Sequence, residues 1–301
     1  MNENKLIPWG QKEKDYWYQE QTIKRSYLDE VVAKMEALKT SFTVFSYGAL
    51  SYDPGRYPVY LVTSKKMDQA KKTVLITGGV HGYETSGVHG ALAFMSREAG
   101  KYSDSFNFIC APCISPWAYE TVNRWNPKAI DPNRSFHPES PAEECRLFLK
   151  AIDSLGVEIF AHFDLHETTD TDNTVFRPAK EKRDGKLEEF SEIPDGFYVV
   201  GDANKPKPGF QKAIIDEVKK VTHIAPPDAE GKIIGVKIEA DGIINYDMKK
   251  LFLCGGFSGA EFLTTTEVYP DSAKVTGDNC VDAQVAAIRG GIDYIRRPSS
   301  I

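Results

Sequence analysis

The chain has 301 residues, 41% hydrophobic and 27% charged, enough apolar side chains to fill a core and unlike the composition of a disordered polymer. Its net charge of −6, with lysines scattered among acids and no basic stripe interleaved with aromatics, argues against nucleic acid as a partner. No run approaches the roughly 18 apolar residues of a membrane span, and Met1 to Gln21 lacks the apolar stretch of a signal peptide, so the expected address is the cytoplasm by default, with export by another route left open.

Residues 1–21, polar but carrying Trp9, Tyr16, Trp17 and Tyr18, read as an extended arm on a single domain covering 1–301. In residues 22–40, Ile23, Tyr27, Val31, Met35 and Leu38 recur at three- and four-residue spacing, which predicts a helix packed by one face. Phe42 to Phe45 and Val59 to Val62 read as strands across the turn-rich Ser51-Tyr-Asp-Pro-Gly-Arg56. Thr73 to Thr77 is a short β-rich run; Gly78-Gly79 and a helical pattern through Ala91 to Met95 follow it. Apolar runs at Phe106 to Ala111 and Val157 to Leu165, with a helical pattern from Ala142 to Leu155 before the second, continue the alternation. The expected fold is a single-domain α/β unit with a mixed, largely parallel central sheet flanked by helices, its functional loops at the carboxyl ends of the strands.

Residues 170–195 are polar and unpatterned and read as a surface excursion lining a cleft. The five cysteines, including Cys110-Ala-Pro-Cys113, are too few and too irregular for a disulfide framework, and no second CxxC completes a zinc site; they read as buried thiols.

His81-Gly-Tyr-Glu84 sets an imidazole and a carboxylate three apart at the mouth of a strand, both good ligands for Zn²⁺. On the run Glu158 to His166, alternation places His162, Asp164 and His166 on one face. If that strand neighbours Thr73 to Thr77, His166 arrives beside His81 and Glu84. Three protein ligands and an open position are the layout of a catalytic zinc.

Gly78-Gly-Val-His-Gly-Tyr-Glu84, Asp131-Pro-Asn-Arg134 and Phe163-Asp-Leu-His166 resemble, in order, the signatures of the zinc carboxypeptidase superfamily, including its aspartoacylase and succinylglutamate desuccinylase branch. With a later glutamate the match spans residues 74 to 270. The resemblance implies a zinc carboxypeptidase-like, phosphorylase/hydrolase-like fold and one Zn²⁺ on His81, Glu84 and His166, with Asp131 orienting His81. It also implies Asn133 and Arg134 as the grip on the substrate's free carboxylate.

More loosely, Arg124 resembles the arginine that stabilises the oxyanion, with Lys128 a competing cation. Glu267, in the Thr-rich run Phe262 to Pro270, resembles the general base, with Glu261 and Glu239 as rivals. Tyr246 resembles the mobile tyrosine that caps the substrate, and the Gly-rich Cys254 to Gly259 fits a loop able to move. Asp241 and Asp247 are candidates for binding a basic side chain. His89, His137 and His223 have no motif around them, while His162 allows a second, helical zinc pair that the strand-like Val157 to Phe160 argues against.

The implied activity is removal of the C-terminal residue from peptides with a free carboxylate. An N-acyl amino acid deacylase is the alternative, and a non-catalytic zinc-binding module the second. The remote Glu267 favours the peptidase; the short interval from Arg134 to His166 favours the deacylase. The serine of Gly256-Phe-Ser-Gly259 lacks the glycine two places later that a nucleophile elbow requires.

Overall fold

A computed structural model describes residues 6–297. Ten strands run in chain order: β1 (Phe42–Ala49), β2 (Pro58–Ser64), β3 (Lys72–Gly78), β4 (Phe106–Ala111), β5 (Ile159–Glu167), β6 (Tyr198–Asp202), the short hairpin β7 (Lys232–Ile233) and β8 (Val236–Lys237), β9 (Ile243–Tyr246) and β10 (Phe262–Val268). The α-helices are α1 (Gln11–Gln19), α2 (Ala33–Ala37), α3 (Thr85–Arg97), α4 (Pro116–Thr121), α5 (Glu143–Ser154), α6 (Arg177–Asp184), α7 (Pro208–Val218), α8 (Cys254–Phe257) and α9 (Gly277–Arg296).

Eight strands form one mixed sheet in the order β1-β2-β4-β3-β5-β10-β6-β9. Its centre, β4-β3-β5-β10, is parallel throughout, and β1 and β2 add an antiparallel edge. Both faces of the central strands are covered, which is why β3 reads as an unbroken apolar run. On one face Val74, Ile76, Phe163 and Leu165 pack with α3, α7 and α9; on the other Leu75 and Ile109 pack with Phe148 of α5 and Cys254 of α8. The chain leaves β3 for β4 on one side and later returns to β5 on the other. The carboxyl ends of β3 and β5 therefore flank a topological switch point, where ligands bind in open α/β sheets.

Two local expectations give way. The stretch read as an extended arm contains α1, begun by a one-sided cap in which Gly10 N–H donates to Glu13 Oε2 at 2.8 Å; residues 1–5 of it lie outside the described residues. The helical run predicted from residue 22 starts only after Tyr27, as a π turn followed by α2, so Tyr27, Val31, Met35 and Leu38 are buried while Ile23 is exposed. Among the described residues no helix is long and apolar enough to cross a membrane, and all five cysteines are free and buried.

Candidate metal centre and active-site cleft

The loop after β3 is held in place by backbone. Gly79 takes φ +57°, the left-handed region open to glycine, and a Cβ on Gly82 would collide with the backbone of Ala118 and Tyr119 in α4. Ser115 N–H donates to Gly79 O at 2.9 Å and Ser115 Oγ–H to Val80 O at 2.7 Å. His81 and Glu84 are thus carried inward over the end of β5. Glu84 sits at the N-cap of α3 without capping it, because Glu167 of β5 accepts from Ser86 N–H at 2.6 Å instead.

His81, Glu84 and His166 converge, all buried, with candidate ligand atoms within 4.8 Å of one another. His81 Nδ1 is 2.6 Å from Glu84 Oε1, and His166 Nδ1 is 2.7 Å from Glu84 Oε2, an oxygen that is buried and makes no hydrogen bond. The other nitrogen of each ring meets a carboxylate: His81 Nε2 lies 2.9 Å from Asp131 Oδ1 and His166 Nε2 3.0 Å from Asp164 Oδ2. With the Nε2 protons given to these aspartates, both Nδ1 atoms present lone pairs to a carboxylate, an arrangement that repels itself unless a cation lies among them. Three buried carboxylates around two imidazoles fit a divalent ion. Before an ion binds, a proton can take that part: although burial favours the neutral forms, Glu84 is held down at about 2 by His166 and His81, and His166 is pushed well above the usual imidazole range by Glu84 and Asp164.

Asp131 precedes a short 3₁₀ turn. Its Oδ1 also accepts from Asn133 N–H at 3.0 Å, and its Oδ2 from Arg124 Nε–H at 3.1 Å. Against burial, Arg124 and His81 hold it far below the normal carboxylate range. Arg124 is committed on a second side, its Nη1 reaching Asp172 Oδ1 at 3.1 Å and Tyr83 OH at 3.3 Å, while Nη2 makes no hydrogen bond to the described residues.

Glu267 stands in register with His166 across the parallel β10–β5 pair, so both project from the same face. Its Oε2 accepts from Thr168 Oγ1–H at 2.8 Å, and burial pushes its pKa to about 8 against the pull of His166. The cleft, about 220 Å³, also takes in Arg124, Asn133, Arg134 and Tyr246. Asn133 Oδ1 accepts from Cys254 N–H at 2.8 Å, which leaves its amino group as the free end. Arg134 is exposed in the cleft, donating to Asn133 O at 2.7 Å.

Tyr246 ends β9, paired with Asp202 of β6, and the Gly-rich segment after it begins with the short helix α8, where a Cβ on Gly256 would strike the backbone of Met248. Gly255 and Gly256 serve close packing there, while Gly259 takes φ +61° with open space around its Cβ position. The rivals lie elsewhere. Glu261 pairs with Lys207 at the far end of β10, Glu239 and Lys128 are exposed outside the cleft, and neither Asp241 nor Asp247 lines it. His162 is on β5 and not in a helical zinc pair, while His89, His137 and His223 contact Tyr119, Phe252 and Asp195 respectively. The excursion 170–195 contains a π turn and α6, and Asn173, Glu189, Ser191 and Ile193 from it roof the cleft.

Four residues of the site had no role in the sequence reading. Asp164 carries a signal, its place two before His166 on one strand face, and Tyr83 lies inside the HxxE motif. Asp172 and Thr168 carry none, because their partners are distant in sequence or depend on strand register.

No protein-family model and no curated protein sequence matches the chain. Solved structures do. A candidate metallopeptidase from Shewanella amazonensis superimposes with a TM-score of 0.67 at 18% identity, over 91% of this chain and 98% of that one. A metallo-carboxypeptidase from Burkholderia cenocepacia gives 0.61 at 19%, over 89% and 69%. A metallo-carboxypeptidase from Pseudomonas aeruginosa, in complex with (2-guanidinoethylmercapto)succinic acid, gives 0.58 at 12%, over 89% and 69%. The chain has the fold of these metallo-carboxypeptidases.

Proposed function

We propose that the chain is a zinc-dependent metallocarboxypeptidase that hydrolyses the last peptide bond of peptides with a free C-terminal carboxylate. The supporting observation is the meeting in one cleft of Glu267, the His81–Glu84–His166 group and the unpaired Arg134 guanidinium. His81, Glu84 and His166 would hold the ion, with Asp131 and Asp164 orienting the two imidazoles. When bound, zinc polarises the scissile carbonyl and lowers the pKa of a water towards about 7.

Glu267 takes the proton of the attacking water and passes it to the leaving amine. Arg134, with the Asn133 amino group, grips the terminal carboxylate, and the free edge of Arg124 faces the developing oxyanion. Tyr246, its phenol pushed to about 12 by burial, stays protonated as a donor beside Arg134. Val200, Ile234, Met248 and Leu253 line the remaining wall, which suits an apolar released residue.

The deacylase reading has one observation in its favour, the small volume under the roof of residues 173–193. Zinc-loaded protein should be offered unblocked peptides, the same peptides C-terminally amidated, and N-acetyl and N-succinyl amino acids. Cleavage of unblocked peptides alone supports the peptidase; cleavage of acyl amino acids alone replaces it with the deacylase. Zinc binding without turnover of any of them supports the non-catalytic module.

A further inference from the structure

Behind the candidate metal centre, on the side of His166 away from Glu84, lie Thr77, His162, Asp164 and Cys254, all buried. The imidazole, carboxylate and thiol have candidate ligand atoms within 4.8 Å of one another, by type a second metal-binding group. Their middle is taken. Thr77 Oγ1 lies 2.6 Å from Asp164 Oδ1, 2.9 Å from His162 Nε2 and 3.5 Å from Cys254 Sγ.

A hydroxyl has one proton and two lone pairs. The Asp164 carboxylate only accepts, so Thr77 gives its proton there and accepts from His162 Nε2–H and the Cys254 thiol. His162 Nδ1 is then a lone pair, able to accept from Ser258 Oγ–H at 3.2 Å. At the other end Asp164 Oδ2 accepts from His166 Nε2–H at 3.0 Å, which leaves His166 Nδ1 as a lone pair towards Glu84. Every donor in the chain finds an acceptor in one direction only. The strand register builds it, since Thr77 of β3 is paired with Asp164 of β5, and Leu75 with His162.

We propose that Thr77 is a positioning residue for the metal: it anchors Asp164, which sets the tautomer and orientation of His166, and the His162–Cys254 pair completes this hydrogen-bonded chain and binds no second ion. The inference rests on the proposed His81–Glu84–His166 metal site. Its reach extends to a residue of another strand, one that never touches the ion.

The test is zinc affinity, measured by chelator competition on wild type, Thr77→Val, Thr77→Ser, Asp164→Asn and Cys254→Ser, with melting temperatures of the metal-free forms alongside. Thr77→Val keeps the β-branched shape and loses the hydroxyl; a several-fold weaker affinity is expected, and for Asp164→Asn about a 10-fold to 100-fold loss, the usual effect of removing a partner behind a metal ligand. Thr77→Ser should restore affinity even though it removes a methyl group and lowers the metal-free melting temperature. A purely structural role predicts the reverse ranking, with Val the milder change. Asp164→Asn decides by the same affinity should Thr77→Val not fold. Wild-type affinity in Thr77→Val or, failing that, in Asp164→Asn, a Ser variant as weak as the Val variant, or a second equivalent of zinc lost in Cys254→Ser would each overturn the proposal. Wild type that binds no zinc at all would overturn the metal site itself, and the positioning role with it.

Discussion

Glu267 is half-buried and forms no ion pair among the described residues, and loss of solvent around its carboxylate lifts its pKa to about 8 although His166 opposes the rise. A general base works deprotonated, so kcat/KM should climb with pH along a limb set by this group. A divalent cation in the cleft favours the carboxylate and draws the midpoint below 8. Glu267→Gln should keep its zinc, lose that limb and lower kcat by about 10²- to 10⁴-fold. A pH–rate profile of both proteins with zinc analysis checks it, and near-wild-type turnover in the variant would remove Glu267 from the chemistry.

Arg134 separates from Glu267 by substrate. Losing a hydrogen bond to a charged group is worth about 1.5–3 kcal/mol, so Arg134→Ala should raise KM for an unblocked peptide by roughly 10- to 100-fold. With the amidated peptide the variant and wild type should perform alike. A loss of the same size on both substrates would mean that Arg134 supports the fold of the cleft and does not read a carboxylate.

At the scale of elements, α5 carries a glutamate on its buried face. Glu144 has one oxygen without a hydrogen-bond partner and the other 3.4 Å from Asn126 Nδ2, and burial pushes its pKa from 4.5 to about 7. The folded chain holds this proton where the unfolded chain has released it. Its contribution to stability is therefore full below about pH 4.5 and is lost as pH rises to about 7, in total about 3 kcal/mol. Glu144→Gln removes the titration. Relative to wild type it should melt higher by several degrees at pH 8 and show no gain at pH 4; a gain that does not change with pH would refute the account.

The same scale shows what the sequence makes legible. Alternation on β5 placed His162, Asp164 and His166 on one face, and they occupy it, because a polar face on a doubly covered strand cannot be explained by solvent. Gly82 and Glu84 mark the loop above it. Glycine itself is ambiguous: at Gly256 it signals backbone contact, which looks identical to flexibility until Met248 is in place. The start of the run 22–40 misleads because Ile23 continues a spacing whose helix has not yet begun.

Across the whole molecule, what stays hidden in sequence is pairing at a distance. Asp172 meets Arg124 across 48 residues, and the N-terminal helix docks on the far side of the same region. All four tryptophans gather there: Trp9 meets Trp125 edge to face at 6.0 Å between ring centroids, Trp17 meets it tilted at 5.6 Å, and Trp17 reaches Trp117 at 6.0 Å. Trp9 N–H donates to Arg183 O at 3.0 Å, and the Arg183 guanidinium lies 4.3 Å over the Trp125 ring, so α1 and the Trp9 just before it strap α6, the root of the cleft's roof, to the segment bearing Arg124. The helix gains little from its own sequence, with no buried residue and a largely polar surface, and is held by these rings. At about 0.5–1.5 kcal/mol per aromatic pair, its loss should cost a few kcal/mol. A chain beginning at residue 22 should keep zinc binding, because no ligand touches α1, while Trp117 and Trp125 become wetter and their fluorescence shifts to the red. With the roof untethered, KM should rise more than kcat falls. A truncated chain with wild-type KM would show that the strap serves stability alone and leaves the roof where it was.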